Sequence, residues 1–236
     1  MVLTGCSAAS EASGGAQGDG RASASASADA EAAVAERGAA LGAAGSACEL
    51  PVTFDIAEDW EPEAVDAAAA LAGSGAESTD GTDGTDGTDG SDGTDSAEDD
   101  LAAEIADSLL RQGPVVAACE VDAKPAGNIG FLRVWTGEPG EDDARTVLEA
   151  FVTAEASENV SLDQQRYRTF TSGEVKGVEV SYLRTSELLE ETQKQRALAV
   201  TTADGPVVLH LGGLDDEEHE AMLPAFELAK RTLRVS

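Results

Sequence analysis

The sequence predicts an α+β fold, in which helices pack on an antiparallel β-sheet and a disordered tether precedes the folded part. Several segments alternate apolar and polar residues, as half-buried strands do, and most of them follow one another without an intervening helix. Other segments repeat apolar residues at helical spacing. The first 47 residues are mostly alanine, serine, glycine and acids. They contain too few large apolar side chains to form a core.

The N-terminus carries a short motif that predicts attachment to a membrane. Leu3-Thr4-Gly5-Cys6 resembles a bacterial lipobox, the signal-peptidase site whose cysteine receives diacylglycerol. A secretory signal also needs an apolar stretch of about 7 to 15 residues before the cleavage site. Only five residues precede Cys6. We interpret residues 1–6 as the remnant of a signal peptide whose start lies upstream. A chance tetrapeptide is the alternative.

The cysteine count agrees with this interpretation. The chain has three cysteines, and an odd number of thiols is unusual in an oxidising compartment. Lipid on Cys6 would leave Cys48 and Cys119 to form a disulfide. Closing a loop of about 70 residues would stabilise the fold by roughly 4 kcal/mol in the chain-entropy description. Two buried free thiols are the alternative.

Low-complexity composition predicts the limits of the folded part. Residues 7–47 form the predicted tether, and the domain is expected to span residues 48–236. An acidic insertion at 73–97, which repeats Thr-Asp-Gly, interrupts this domain. A calcium site of the EF-hand type needs oxygen ligands in a register that a period of three does not supply. We therefore interpret the insertion as a solvated, disordered loop.

The regular elements follow from the apolar periodicity and from the turn residues between them. The Asp204-Gly205 pair marks a hairpin turn between the last two strands. Acidic residues at the start of the last helix and basic residues at its end suit the helix dipole. Strands are predicted at 52–56, 115–121, 129–135, 161–170, 175–183, 196–202 and 207–211, and helices at 64–71, 98–111, 142–156 and 216–233.

Three short segments carry a family resemblance. Phe54-Asp55-Ile56-Ala57-Glu58-Asp59-Trp60 resembles the opening of the PsbP-like fold, an α-β-α sandwich that includes the Mog protein and actinobacterial lipoproteins of the LpqN type. The segment 219–235 is similar to the final helix and Leu-Arg-Val ending of that group. Together with the lipobox and the two later cysteines, the segment 130–135 resembles uncharacterised lipoproteins of streptomycetes. The resemblance implies a binding or accessory role, and it transfers no catalytic residue and no metal or photosystem contact.

Both histidines have structural interpretations. His210 lies in a predicted strand, on the face opposite Val207 and Leu209, where we expect a partly exposed histidine or one in a second core. His219 lies among acids at positions 215–220, in what should be a solvated first turn of the last helix. Neither histidine belongs to a spacing typical of metal ligands. We expect no metal and no other cofactor.

The sequence gives only weak signals for catalytic or ligand-binding residues. The sequence contains no Gly-x-Ser-x-Gly elbow, phosphate-binding loop or Cys-x-x-Cys pair. Trp60 and Trp135 adjoin apolar strands, so we expect them in or beside the core, with stacking on a ligand as the alternative. Arg166, Tyr167 and Arg168 lie on a polar strand and are the candidate recognition residues. A solvent-facing edge strand is the alternative.

The charge distribution narrows the set of partners. The formal net charge is -31, and residues 1–100 hold 22 of the 46 acids but 2 of the 15 bases. Nucleic-acid binding needs lysine and arginine to displace counterions, so we exclude nucleic acid. We expect a monomer anchored to the extracytoplasmic face of the cell membrane through Cys6, which binds an envelope protein or a small ligand without catalysis. An envelope hydrolase that uses carboxylates and an acidic structural spacer are the alternatives.

Overall fold

The computed structural model describes residues 33–65 and 110–236. Cys6, most of the predicted tether and the insertion at 73–97 lie outside these residues, as do nearly all positions of the predicted helices 64–71 and 98–111. Those expectations stay predictions. Across the described ranges, no helix is both long and apolar enough to cross a membrane.

Two helices and eleven strands make up the described part of the chain. The helices are α1 Ala144–Thr153 and α2 Asp216–Thr232, and a short 3-10 turn covers Lys124–Ala126. The strands are β1 Arg37–Leu41, β2 Val52–Ala57, β3 Glu61–Ala64, β4 Arg111–Gln112, β5 Val115–Asp122, β6 Gly130–Thr136, β7 Val160–Ser172, β8 Val175–Ser186, β9 Glu191–Thr202, β10 Gly205–Gly213 and β11 Arg234–Val235.

The main sheet is antiparallel throughout the described residues. Its strand order is β3-β5-β6-β10-β9-β8-β7, and β4 pairs with β5. The β9–β10 hairpin places Thr202 opposite Gly205, and Gly205 has a φ of +118°, which favours glycine. An antiparallel sheet with helices packed on it confirms the predicted α+β class.

Alternation along the strands creates a core on each face of the main sheet. On β10, Leu209 and Leu211 enter the core beneath α2, whereas Val208 enters the core beneath α1. One phenylalanine of each helix, Phe226 in α2 and Phe151 in α1, is fully buried. Burial of one such side chain contributes roughly 1.5 to 3 kcal/mol. The sheet is therefore held between two apolar layers.

Aspartates fix the N-terminal ends of both helices. The Asp143 side chain accepts a hydrogen bond from the Thr146 amide at the start of α1. At the start of α2, Asp215 accepts from the amides of Glu217 and Glu218, both at 2.9 Å. These bonds satisfy amides that the first turn of a helix leaves without partners.

A small three-stranded sheet corrects the predicted boundary of the tether. β1 and β11 pair with opposite edges of β2, so the folded part begins well before residue 48. Arg37 Nε lies 2.9 Å from Asp55 Oδ2, and Leu41 is buried. A side chain at Gly38 would collide with the Ala57 carbonyl oxygen. Part of the low-complexity composition therefore reflects close packing and not disorder.

The two later cysteines form a disulfide in this structure. Cys48 follows β1 and Cys119 lies in β5, and their Cα atoms are 6.0 Å apart across a sequence separation of 71. Both residues are buried in the core beneath α2. The bridge ties the small sheet region to the main sheet.

Candidate ligand-binding cleft

A cleft of about 500 Å³ opens on the α1 face of the main sheet. Phe151 of α1 and Val208 belong to the same core, and the His210 ring lies 5.7 Å from the Phe151 ring. Further along β10, Gly212 faces the same side as His210, and the helix has already ended at Thr153. The cleft therefore forms where the sheet continues and its covering helix stops.

Glycine at position 212 keeps this cleft open. An ideal Cβ atom added to Gly212 would lie 4.0 Å from both Gln195 Oε1 and His210 Cε1, so a side chain there would point between them without a clash. Gly213 behaves differently, because a Cβ atom there would lie 2.9 Å from the His219 amide nitrogen. Only the first of these two glycines leaves room that a ligand can use.

A hydrogen-bonded group of side chains forms one wall of the cleft. Glu155, just beyond α1, accepts from the Tyr182 hydroxyl at 2.6 Å and from Gln112 Nε2 at 2.9 Å, both through Oε1. His210 Nε2 lies 3.3 Å from the Tyr182 hydroxyl oxygen and 3.7 Å from Glu155 Oε1. Four distant parts of the chain therefore meet at the Glu155 carboxylate.

Burial sets the protonation of this group. Desolvation lowers the pKa of His210 below its ordinary value, and the charges of Arg133 and Arg184 lower it further, against the opposing effect of Glu155. Desolvation and the neighbouring Glu155 raise the pKa of Tyr182 far above the usual value. At neutral pH the imidazole is therefore uncharged, and the phenol keeps the proton that it donates to Glu155.

Three residues that line the cleft each keep one buried polar atom without a partner among the described residues. These atoms are Trp135 Nε1, Glu155 Oε2 and Gln195 Oε1. Such atoms are rare in folded proteins, because a buried polar group without a hydrogen bond costs about 1 to 3 kcal/mol. Their concentration around one cleft marks this region as a place where a hydrogen-bonding ligand would be stabilising.

The mouth of the cleft is apolar. Ile129 is 55% exposed and Leu214 is 57% exposed, and the Leu214 amide donates to the Ile129 carbonyl oxygen at 3.0 Å. The half-buried Phe131 lies beside them, with the Arg133 guanidinium carbon 5.4 Å from its ring centroid. Exposed aliphatic side chains at the entrance suit an apolar part of a ligand.

The predicted recognition residues lie elsewhere. Arg166, Tyr167 and Arg168 belong to β7, the edge strand of the main sheet, and both arginines are exposed. The Tyr167 ring is half-buried under the Arg145 guanidinium carbon, 3.9 Å from the ring centroid. This strand does not contribute to the cleft wall, and the recognition role of its three residues stays a prediction.

The structure corrects the expectation for His219. This side chain is only 3% exposed, and Nδ1 has no hydrogen-bond partner within the described ranges. Desolvation and the charge of Arg196 lower the pKa of His219 to about 4. The acids nearby in the sequence are exposed or half-buried, whereas the His219 side chain is buried.

The cleft was not predicted, because its polar residues lie far apart in sequence. His210 was correctly assigned to the sheet face away from Leu209, and Trp135 and Trp60 are buried as expected. No motif singles out Glu155 or Gln195. No group of three or more metal-ligating side chains occurs in the part of the chain that the structure describes.

Comparisons with known proteins identify the family. The solution structure of cyanobacterial PsbP (CyanoP) from Synechocystis sp. PCC 6803 is similar at 11% sequence identity and a TM-score of 0.47, over 84% of this chain and 98% of that one. A comparison with curated proteins gives no match. The family described as "uncharacterised lipoprotein" matches residues 18–233. The chain therefore belongs to this lipoprotein family.

Proposed function

We propose that this lipoprotein is anchored through lipid on Cys6 to the extracytoplasmic face of the cell membrane and holds a small ligand in the cleft without catalysis. The observation that supports binding is the set of unpartnered polar atoms on Trp135, Glu155 and Gln195. These atoms are closed off from bulk solvent, and the side chains that carry them line the cleft. The cleft volume falls within the range of small-molecule sites.

The composition of the cleft favours binding over turnover. Among the described lining residues, Glu155 is the single carboxylate, and none is serine, threonine, cysteine or lysine. Glycoside hydrolysis generally uses two carboxylates, and covalent catalysis needs an activated nucleophile. Glu155 is already engaged by Tyr182 and Gln112. This arrangement supports a rigid recognition site.

Family membership and the cysteines support the proposed location. The family is one of lipoproteins, and the Cys48–Cys119 disulfide is the kind of bond that persists in oxidising compartments. Radiolabelled palmitate supplied to cells should enter the wild type, expressed with a lipoprotein signal peptide, and should not enter Cys6→Ser. Equal labelling of the two proteins would contradict the anchor.

Ligand capture tests the binding function. A secreted Cys6→Ser version would be purified without detergent from its natural host, and the small molecules released on denaturation would be identified by mass spectrometry. We expect one class of molecule at near-stoichiometric amount, reduced at least tenfold by Gly212→Leu, which fills the cleft. Gly140→Leu adds the same side chain at an exposed loop glycine and should leave the amount unchanged. Equal amounts in all three proteins, or no enriched molecule, would contradict the proposal.

An envelope hydrolase is the second candidate, and the buried Glu155 carboxylate favours it. Turnover of glycan or ester substrates that Glu155→Gln abolishes would replace the binding function with this one. The proposed binding function requires that no such turnover is found.

A further inference from the structure

We infer that the cleft takes an uncharged amphiphile, whose hydroxyl-rich head lies on the polar wall and whose apolar chain leaves across the mouth. This inference rests on the proposed binding function and names the class of ligand. Three properties of the described residues support it: the kind of hydrogen bond that is missing, the balance of charge and the apolar entrance.

The unpartnered atoms call for both donors and acceptors. The Trp135 indole N–H is a donor, whereas Glu155 Oε2 and Gln195 Oε1 are acceptors. A carboxylate or phosphate ligand offers mainly acceptors, and an ammonium offers only donors. Hydroxyl groups do both, and several hydroxyls on one ring present donors and acceptors in neighbouring positions. A polyol head therefore satisfies the mixed set that neither type of ion can satisfy.

The charges around the cleft cancel. Glu155 opposes an anion, and Arg184, which also lines the cleft, opposes a cation. The second arginine, Arg133, is paired with the Glu120 carboxylate. His210 is uncharged at neutral pH. The net charge of -31 for the whole chain adds a field that disfavours anionic ligands. An uncharged head is the form that none of these groups repels.

The entrance supplies a place for an apolar chain. Ile129 and Leu214 are two of the six large apolar side chains that are exposed in the described ranges, and both lie at this mouth beside Phe131. Burying part of their surface against an alkyl chain would contribute about 25 cal/mol for each Å² removed from water. Isolated exposed residues need no explanation, but this pair directly adjoins the cleft.

The test uses octyl glucoside below its micellar concentration, with glucose, octyl sulfate and octylammonium as comparison probes. Isothermal titration of the secreted Cys6→Ser protein should show saturable binding of octyl glucoside. We expect affinity at least tenfold higher than for either charged probe with the same chain, and also higher than for glucose. Ile129→Ser combined with Leu214→Ser should lower the affinity for octyl glucoside to that for glucose.

Variants at the polar wall locate the site. Gly212→Leu should abolish binding, and Trp135→Phe, which keeps an aromatic ring but removes the indole N–H donor, should weaken it at least fivefold. Gly140→Leu is the matched control and should bind like the parent. The inference is overturned if the three octyl probes bind equally, if neither octyl glucoside nor glucose binds, or if binding survives Gly212→Leu.

Two further outcomes separate this inference from the function on which it rests. The protein could bind glucose as tightly as octyl glucoside, and Ile129→Ser with Leu214→Ser could leave both affinities unchanged. This outcome would overturn the inference of an amphiphile and leave a free polyol as the ligand. A charged molecule found by ligand capture, with no binding of octyl glucoside, would overturn the inference while the binding function stands. If ligand capture finds no enriched molecule and neither octyl glucoside nor glucose binds, both the inference and the proposed binding function are contradicted.

Discussion

Single residues acquire their roles here from burial more than from their neighbours in sequence. His219 lies next to acids along the chain, yet in the fold its ring is buried and the nearby positive charge of Arg196 helps to hold its pKa at about 4. Glu155 lies in an ordinary polar segment after a helix, yet its carboxylate accepts hydrogen bonds from Tyr182 and Gln112. Neither role is encoded in a local motif.

The pKa of His219 predicts how stability depends on pH. The unfolded chain protonates this histidine near pH 6.5, whereas the folded chain resists protonation down to about pH 4. The free energy of unfolding should therefore fall as the pH drops through this window, by roughly 2 to 3 kcal/mol at pH 4.5. His219→Leu should remove most of that loss.

Urea unfolding at pH 7 and pH 4.5 checks this prediction. Some loss will remain in the variant, because the pKa of His210 is also lowered and acts in the same direction. An identical pH dependence in wild type and His219→Leu would show that His219 does not resist protonation in the folded protein.

At the scale of elements, an ionic cluster joins α2 to the main sheet. Lys230 Nζ donates to Glu179 Oε2 of β8 at 2.8 Å and to Glu227 Oε1 of α2 at 2.6 Å. Arg196 Nη1 of β9 lies 3.1 Å from Glu179 Oε1. The sequence predicts Lys230 as a partner of the helix dipole, whereas the structure shows that it also neutralises two largely buried carboxylates.

Removal of Lys230 should therefore lower the free energy of unfolding by more than removal of a surface charge does. Lys230→Met keeps the aliphatic stem but leaves Glu179 and Glu227 close together with only arginines to balance them. We expect the unfolding free energy, measured by urea titration, to fall by roughly 2 to 3 kcal/mol. Removing one member of a buried ion pair leaves the charge of its partner buried and uncompensated. Lys176→Met, at an exposed position of β8, is the control and should change it little. A loss no larger than the control's would mean that the cluster is not a source of stability.

The elements show how far the sequence could predict the fold. The alternating segments placed β5 to β8 and β10 within a few residues, because each carries apolar side chains on one or both faces. β1 was missed, since Arg37-Gly38-Ala39-Ala40 has no apolar alternation and is held by pairing with β2 and by the Arg37–Asp55 ion pair. The cleft was missed because its lining joins Glu155, which follows α1, with residues from β4, β6, β8, β9 and β10. Such long-range contacts leave no periodic signal.

At the scale of the whole molecule, one covalent bond ties the N-terminal strands to the main sheet. The Cys48–Cys119 disulfide links positions separated by 71 residues, and the intervening chain includes the acidic insertion. Constraint of so long a loop in the unfolded state should stabilise the fold by up to roughly 4 kcal/mol.

Reduction of this bond should therefore lower stability. The midpoint of urea unfolding for the Cys6→Ser protein should fall clearly when dithiothreitol is added. The control is a double variant, Cys48→Ser with Cys119→Ser in the same background, which should be less stable and should not respond to the reductant. A midpoint that is unaffected by reduction would show that the bridge does not constrain the unfolded chain.

The central claim is that the cleft on the α1 face is the ligand site, and the two tryptophans of the chain allow a direct test. Nitrogen-15 correlation spectra should contain two indole N–H signals, which Trp135→Phe assigns by removing one. Submicellar octyl glucoside should shift the Trp135 signal in a saturable manner and leave the Trp60 signal, from the core on the other face of the sheet, in place. A Trp135 signal that does not move at saturating probe, or a shift confined to Trp60, would contradict the account.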